Sequence, residues 1–147
     1  MRNIFLAAAI MLLGTQIASA TDILPLVRTC TIAAPAEKGQ PQLVMVDSNN
    51  DGKVTTYIQI NGPTILAGPL DAVTISVEPF DATITTKGIA PKTNGNYVRV
   101  VITEGWASLL DRIRKGHNLS LATGNETITI SLKGSGAAIA ALERCTR

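Results

Sequence analysis

The sequence has few aromatic residues and no strong excess of either charge. Only 3% of its 147 residues are Phe, Trp or Tyr, and 13 basic side chains stand against 11 acidic ones. The longest basic stretch is Arg112-Ile113-Arg114-Lys115. Nucleic-acid binding needs a concentrated basic face, and single strands also need aromatic rings on which bases stack. We therefore expect no nucleic acid among the partners of this protein.

Catalytic groupings are also missing. The one histidine, His117, follows a glycine, and its nearest carboxylate, Asp111, lies on the other side of the last turn of a predicted helix. No Ser, Thr or Cys lies in a nucleophile motif, and no two carboxylates form an acid and base couple. Gly134-Ser135-Gly136 lacks the third glycine or lysine of a phosphate-binding loop. We expect a protein that is not an enzyme, with no catalytic residue and with His117 exposed to solvent.

Residues 1–20 have the pattern of a signal peptide. Arg2 precedes an apolar run, Ile4–Leu13, and Ala18-Ser19-Ala20 is typical of a cleavage site. Ten apolar residues are too few to span a bilayer as a stable helix, although an uncleaved anchor is the alternative. We expect cleavage after Ala20, a periplasmic or secreted protein, and no membrane insertion of the mature chain. Residues 21–147 are enough for a single β-rich domain.

Only two cysteines occur, Cys30 and Cys145, at the two ends of the mature chain. In an oxidising compartment they are predicted to form one disulfide. Such a bond would close a loop of roughly 115 residues and stabilise the fold by about 4–5 kcal/mol in the chain-entropy treatment. Two free thiols are the alternative. A redox role is disfavoured because the close C-x-x-C spacing is absent.

Apolar and polar residues alternate in short segments, and this pattern predicts seven or eight strands. The predicted strands are Cys30–Ile32, Leu43–Val46, Val54–Ile60, Val73–Val77, Ala82–Thr85, Tyr97–Ile102, Leu119–Leu121 and Thr127–Lys133. Turn-forming residues separate most of them, which favours antiparallel pairing. The predicted fold class is mainly β, a β-sandwich-like antiparallel sheet with two short α-helices near the C-terminus.

An apolar stripe at helical spacing predicts the first helix, from about Glu104 to Lys115. The stripe consists of Trp106, Leu109, Leu110 and Ile113. Thr103 is the predicted N-cap and Gly116 the predicted left-handed residue after the last turn. The second helix is predicted to begin at Ser135 as its cap. Its apolar stripe consists of Ala138, Ala141, Leu142 and Cys145. Both helices are expected to cover one end or an open edge of the sheet.

The spacer between the second and third predicted strands matches the first half of a calcium loop. Asp47, Asn49 and Asp51 would supply oxygens at positions 1, 3 and 5, and Gly52 follows at position 6. Position 12, which should be a bidentate acid, is Ile58. We predict an ordinary hairpin here, with a weak calcium site at Asp47, Asn49 and Asp51 as the alternative. No other cofactor is expected.

Four short motifs follow one another in the last third of the sequence. They are an apolar helix from Leu109-Leu110 to Lys115-Gly116, a two-stranded run through Leu119 and Leu121, Ser131-Leu132-Lys133-Gly134, and a closing helix with Ala137-Ala138 and Leu142. These motifs resemble the invasion-associated locus B family of exported alphaproteobacterial proteins. The likeness covers only the C-terminal third. It implies a small periplasmic or surface β-rich protein, in some members linked to host-cell invasion, without an established catalytic site.

These observations favour an exported, non-enzymatic protein that binds another macromolecule or supports the cell envelope. Its partner would be an unidentified protein or envelope component. One alternative is a periplasmic inhibitor of a lysozyme or protease, which would insert the polar loop predicted at Lys87–Asn96 into an enzyme cleft. Another is a calcium-dependent module that uses Asp47–Gly52.

Overall fold

The computed structural model describes residues 27–62, 70–89, 97–124 and 126–147, and these residues form two antiparallel sheets and two short helices. The predicted mainly β, antiparallel fold is confirmed. The strands are β1 (Val27–Ala33), β2 (Gln42–Asn50), β3 (Lys53–Asn61), β4 (Val73–Glu78), β5 (Phe80–Thr86), β6 (Gly88–Ile89), β7 (Tyr97–Val101), β8 (Asn118–Ala122) and β9 (Thr127–Ser131). The helices are α1 (Trp106–Lys115) and α2 (Ser135–Thr146).

The two sheets have different strand orders. Sheet A has the order β1-β2-β3-β7-β6, and sheet B has the order β5-β4-β8-β9. Every strand pair in the described part of the chain is antiparallel. The chain leaves sheet A at β7, forms α1 and enters sheet B at β8. Thus α1 joins the two sheets and is not a crossover between parallel strands of one sheet.

The core contains alternate residues from strands of both sheets, together with one face of each helix. In β4, for example, Val73, Ile75 and Val77 are buried while the residues between them are partly exposed. This alternation is expected for strands that have one face against a core. The predicted stripe of α1 is confirmed, because Leu109, Leu110 and Ile113 are buried and Trp106 packs against the cluster.

The predicted last residue of α1, Lys115, is confirmed, but the predicted start and capping conformations are wrong. The helix begins at Trp106, and its N-cap is Gly105, with φ 73°, in place of Thr103. Gly116 is extended, with φ −83° and ψ 171°, and its N–H still donates to Arg112 O at 2.7 Å. A left-handed residue is not needed there because the chain turns directly toward β8. Because Gly116 has no side chain, the end of β4 can pack closely against the helix.

The predicted cap of α2 is also wrong. Gly134, with φ 81°, is the N-cap, and Ser135 is the first helical residue. The Ser135 hydroxyl does not cap its own helix and donates to Ile113 O at 2.9 Å. Ile113 belongs to the last turn of α1, where carbonyl groups have no partner within the helix. A buried hydrogen bond therefore connects the end of α1 to the start of α2.

Ser135→Ala should lower the free energy of unfolding by about 1–2 kcal/mol, because it leaves the carbonyl of Ile113 buried without a donor. Urea unfolding followed by circular dichroism measures this change. Ser108→Ala is the matched control, since Ser108 is exposed on α1 and its loss should change stability by less than about 0.5 kcal/mol. Equal stability of the two variants would show that the interhelical bond contributes nothing.

The disulfide predicted between Cys30 and Cys145 is present, with a Cα–Cα distance of 5.8 Å. It fastens α2 to β1, an edge strand of sheet A. In the predicted stripe of α2, Ala138 and Leu142 are buried and Ala141 is half-buried. Cys145 is exposed, whereas Cys30 is buried in the core. Thus α2 packs against edge strand β1 and its neighbour β2.

Candidate functional site

The spacer at residues 47–53 forms a tight hairpin, as predicted. Strand pairing continues to Asn50 and Lys53, so only Asp51 and Gly52 form the turn, with φ 50° and 83°. Two successive positive φ values are typical of the two-residue turns that match the twist of a hairpin. The Oδ1 atom of Asn49 accepts the N–H of Gly52 at 3.0 Å.

The turn already uses one of the side-chain oxygens that a calcium ion would need as ligands. Asp47 lies in β2, the oxygen of Asn49 already binds the turn, and Asp51 lies in the turn. Ile58, at position 12 of the supposed loop, is fully buried in the core. No group of three or more His, Cys, Asp or Glu side chains that could hold a metal occurs among the described residues. Calcium binding by Asp47, Asn49 and Asp51 stays a prediction.

His117 is exposed, as predicted. Its backbone connects three segments, because its N–H donates to Glu78 O and its carbonyl accepts the N–H of Leu132, both at 2.9 Å. The loop predicted at Lys87–Asn96 is only partly described. Gly88 and Ile89 form β6 and pair with β7, so the prediction of a loop is wrong at these two residues. Residues 90–96, which the inhibitor hypothesis needs, lie outside the described residues.

Arg99 on β7 is held by its neighbours on β3. Its Nε and Nη2 atoms donate to Gln59 Oε1 at 3.1 and 2.9 Å, and its guanidinium lies 4.4 Å from the centroid of the Tyr57 ring. The Nε2 atom of Gln59 in turn donates to Asn61 Oδ1 at 2.7 Å. Arg99 and Gln59 thus find hydrogen-bond partners within the protein, and these contacts stabilise the pairing of β3 with β7.

Four strands lie at sheet edges; two of them are short or irregular, and one is joined to a helix. In sheet A, β1 is bonded to α2, and β6 has only two residues. In sheet B, the pairing of β5 with β4 is interrupted by a register shift, and the carbonyl of Ala82 on β5 accepts a hydrogen bond from Arg112. The fourth edge strand, β9, pairs regularly over all five of its residues. Like β1, which pairs regularly over seven residues, it is an edge to which another strand can be added.

The hydrogen bonds at the two ends of the β8–β9 ladder show which backbone groups of β9 are free. The N–H of Thr123 donates to Glu126 O, and the N–H of Leu132 donates to His117 O. Both pairs belong to the register of the ladder. Because bonded and non-bonded pairs alternate in an antiparallel ladder, every second residue of β9 directs its N–H and C=O away from β8. These residues are Thr127, Thr129 and Ser131.

A groove of about 500 Å³ borders this edge. We call it the edge groove. One wall is the connection between β1 and β2, and the other is β9 with the start of α2. The lining residues are Pro35, Ala36, Glu37, Gln40, Pro41, Thr129, Ile130, Ser131, Lys133 and Gly134. A Cβ built on Gly134 would lie 3.1 Å from Cγ of Pro35, so this glycine allows the two walls to approach closely. The volume is within the range of ordinary ligand sites, roughly 300–1,000 Å³.

A second depression of about 460 Å³ lies between the β2–β3 hairpin and the start of α1. We call it the end pocket. Its lining includes Asp47, Val54, Thr56 and Trp106. Of the residues predicted as a metal site, only Asp47 lines this pocket. Sequence reasoning did not identify either depression, because each brings together segments that are far apart in the chain.

No protein family, curated protein or solved structure matches this chain. The resemblance to the invasion-associated locus B family in the C-terminal third therefore stays a prediction.

The predicted signal peptide, and the membrane anchor that is its alternative, would be formed by residues 1–20, which lie outside the described residues. Within the described residues, neither helix has the length and apolar character needed to cross a bilayer.

Proposed function

We propose that this is an exported, non-enzymatic binding protein that captures an extended segment of a partner protein along β9. The observation that carries the proposal is the row of outward backbone groups on Thr127, Thr129 and Ser131, beside the edge groove. An added strand would satisfy these donors and acceptors and extend sheet B by one strand. Main-chain pairing of this kind supplies affinity, and pockets beside the strand select side chains.

The composition of the edge groove indicates which peptides would fit. Pro35 and Pro41 present apolar surface, while Glu37 and Lys133 place one charge of each sign in the groove. Successive side chains of an added strand point to opposite faces of the sheet. The preferred segment would therefore alternate apolar residues, facing the groove, with polar residues, facing solvent.

Export is part of the proposal and is supported by two features. Residues 1–20 have the pattern of a signal peptide, and Cys30 and Cys145 are joined by a disulfide. Disulfides persist in oxidising compartments such as the periplasm or the cell exterior. The partner would accordingly be a protein of the cell envelope or of the surroundings, as the family resemblance also implies.

Thr129→Pro tests the strand-addition proposal. The N–H of Thr129 points away from β8, so proline removes a donor from the open edge and leaves the backbone hydrogen bonds of the β8–β9 ladder in place. It also removes the exposed side-chain hydrogen bond between Thr129 and Ser120. Peptides selected from a random library against residues 21–147 should bind about tenfold or more weakly to this variant. In the unchanged protein they should slow hydrogen exchange at Thr127, Thr129 and Ser131.

Thr31→Pro is the matched control. Thr31 is exposed on edge strand β1, and the bond from Ala34 N–H to Leu43 O places its N–H on the outward side of β1 by the same alternation. This variant should keep peptide affinity. Selected peptides that bind Thr129→Pro and the unchanged protein equally would contradict the proposal. A dimer in sedimentation that dissociates on Thr129→Pro would instead indicate that a second copy of the chain occupies β9.

A further inference from the structure

The end pocket contains an acidic group that has no partner among the described residues. Asp47 lies opposite Thr56 in the β2–β3 ladder, and its carboxylate has no ion pair or hydrogen bond to another described residue. Thr56, by contrast, is satisfied, because its hydroxyl donates to Ile102 O at 2.7 Å. The carboxylate of Asp47 is thus a charged acceptor that can still receive hydrogen bonds from a ligand in this pocket.

Apolar surface lies beside this carboxylate. Val54 is 60% exposed and is the one exposed large apolar side chain in the described part of the chain. It follows the same face of β3 as Thr56 and lines the end pocket together with Trp106. Trp106 is partly buried against the core, and part of its surface remains accessible. An exposed valine beside a partly exposed tryptophan is surface that a bound group would cover.

The charges around the end pocket are suited to a cation. Its lining contains Asp47 and no basic side chain. Glu104, which is exposed, lies in the chain between Thr103 and Gly105, both of which line the pocket. A guanidinium can donate two parallel hydrogen bonds to one carboxylate and also stack on an indole ring. Its aliphatic stem can cover an apolar neighbour such as Val54.

We propose that the end pocket binds an arginine side chain of a partner protein. Asp47 would pair with the guanidinium, Trp106 would contact its face, and Val54 would cover the aliphatic stem. The end pocket shares no residue with the edge groove. This proposal therefore does not depend on strand addition at β9, and either one can fail without the other.

The chain has a single tryptophan, so the indole N–H resonance of Trp106 reports directly on this pocket. The probe is acetyl-glycyl-arginyl-glycinamide, titrated into residues 21–147. The resonance should shift in a saturable way. The same peptide with citrulline, which has the shape of arginine without its charge, should bind about tenfold or more weakly. Equal shifts with citrulline, or with lysine, would contradict the guanidinium assignment.

Asp47→Asn tests the role of the carboxylate. It should weaken binding of the arginine peptide by about tenfold or more, because the shape is kept and the charge is lost. Asp51→Asn is the matched control: Asp51 lies in the turn of the same hairpin but does not line the pocket, so affinity should be unchanged. Undiminished binding by Asp47→Asn, in protein shown by its urea unfolding curve to be folded, would overturn the proposal.

Discussion

Removing the disulfide by Cys30→Ala together with Cys145→Ser should lower the free energy of unfolding by about 3–5 kcal/mol. The bond spans 115 residues, so its loss gives most of the chain more conformational freedom in the unfolded state. Alanine is chosen at position 30 because Cys30 is 1% exposed and a hydroxyl there would be buried in the core. Since domains of this size are stable by only about 5–15 kcal/mol, the variant should be close to its unfolding threshold.

Urea unfolding of the oxidised protein and of the double variant measures this effect. The dependence of unfolding on urea should also become steeper, because an unfolded chain without the cross-link exposes more surface. Addition of a reductant is the control: it should destabilise the unchanged protein and leave the double variant unaffected. A loss below about 1 kcal/mol would show that packing of α2 against β1, and not the covalent bond, holds the end of the chain.

Gly116→Ala should have the second largest effect, a loss of about 2–3 kcal/mol. Gly116 has an extended backbone that any residue can adopt, so backbone strain is not the cause. A Cβ at this position would lie 2.8 Å from Arg112 O and 2.9 Å from Glu78 O, and it would also overlap the side chain of Val77. Two of these contacts are with backbone atoms, which cannot move aside without a shift of α1 or β4.

Gly124→Ala is the matched control for this substitution. Gly124 lies in the turn between β8 and β9, and a Cβ there would meet nothing within 4 Å. Its replacement should change the free energy of unfolding by less than about 0.5 kcal/mol. Thermal and urea unfolding of both variants show whether the loss of stability comes from the crowded Cβ at Gly116 or from the replacement of any glycine by alanine. Near-equal stability of Gly116→Ala and Gly124→Ala would mean that the helix end tolerates a side chain.

The helix ends show where local sequence signals failed. Thr103 and Ser135 are good N-capping residues, and each stands near the start of a predicted helix. Both helices nevertheless have a glycine with positive φ as N-cap, Gly105 and Gly134. In α2 the reason is tertiary, because the Ser135 hydroxyl is used by the carbonyl of Ile113, and Pro35 packs against Gly134. Capping preferences of about 1 kcal/mol are easily outweighed by such contacts.

The two candidate sites could be predicted only in part. Asp47 was identified for its place in a calcium-like spacing, and the structure places it in the end pocket with Val54 and Trp106. The alternation of Thr127, Thr129 and Ser131 was recognised as a strand with one buried face. That this strand forms an open edge depends on the order of strands in sheet B, and no local signal specifies that order.

The sequence alone determined the mainly β fold, the helix at the stripe from Trp106 to Ile113, and the pairing of Cys30 with Cys145. Periodicity shows which face of an element is buried, and each of two cysteines has one possible intramolecular partner. Tertiary structure alone decided which strands lie at edges, where α2 packs, and which side chains meet in the end pocket. These features depend on contacts between segments distant in sequence, and such contacts are fixed by the packing of the whole core.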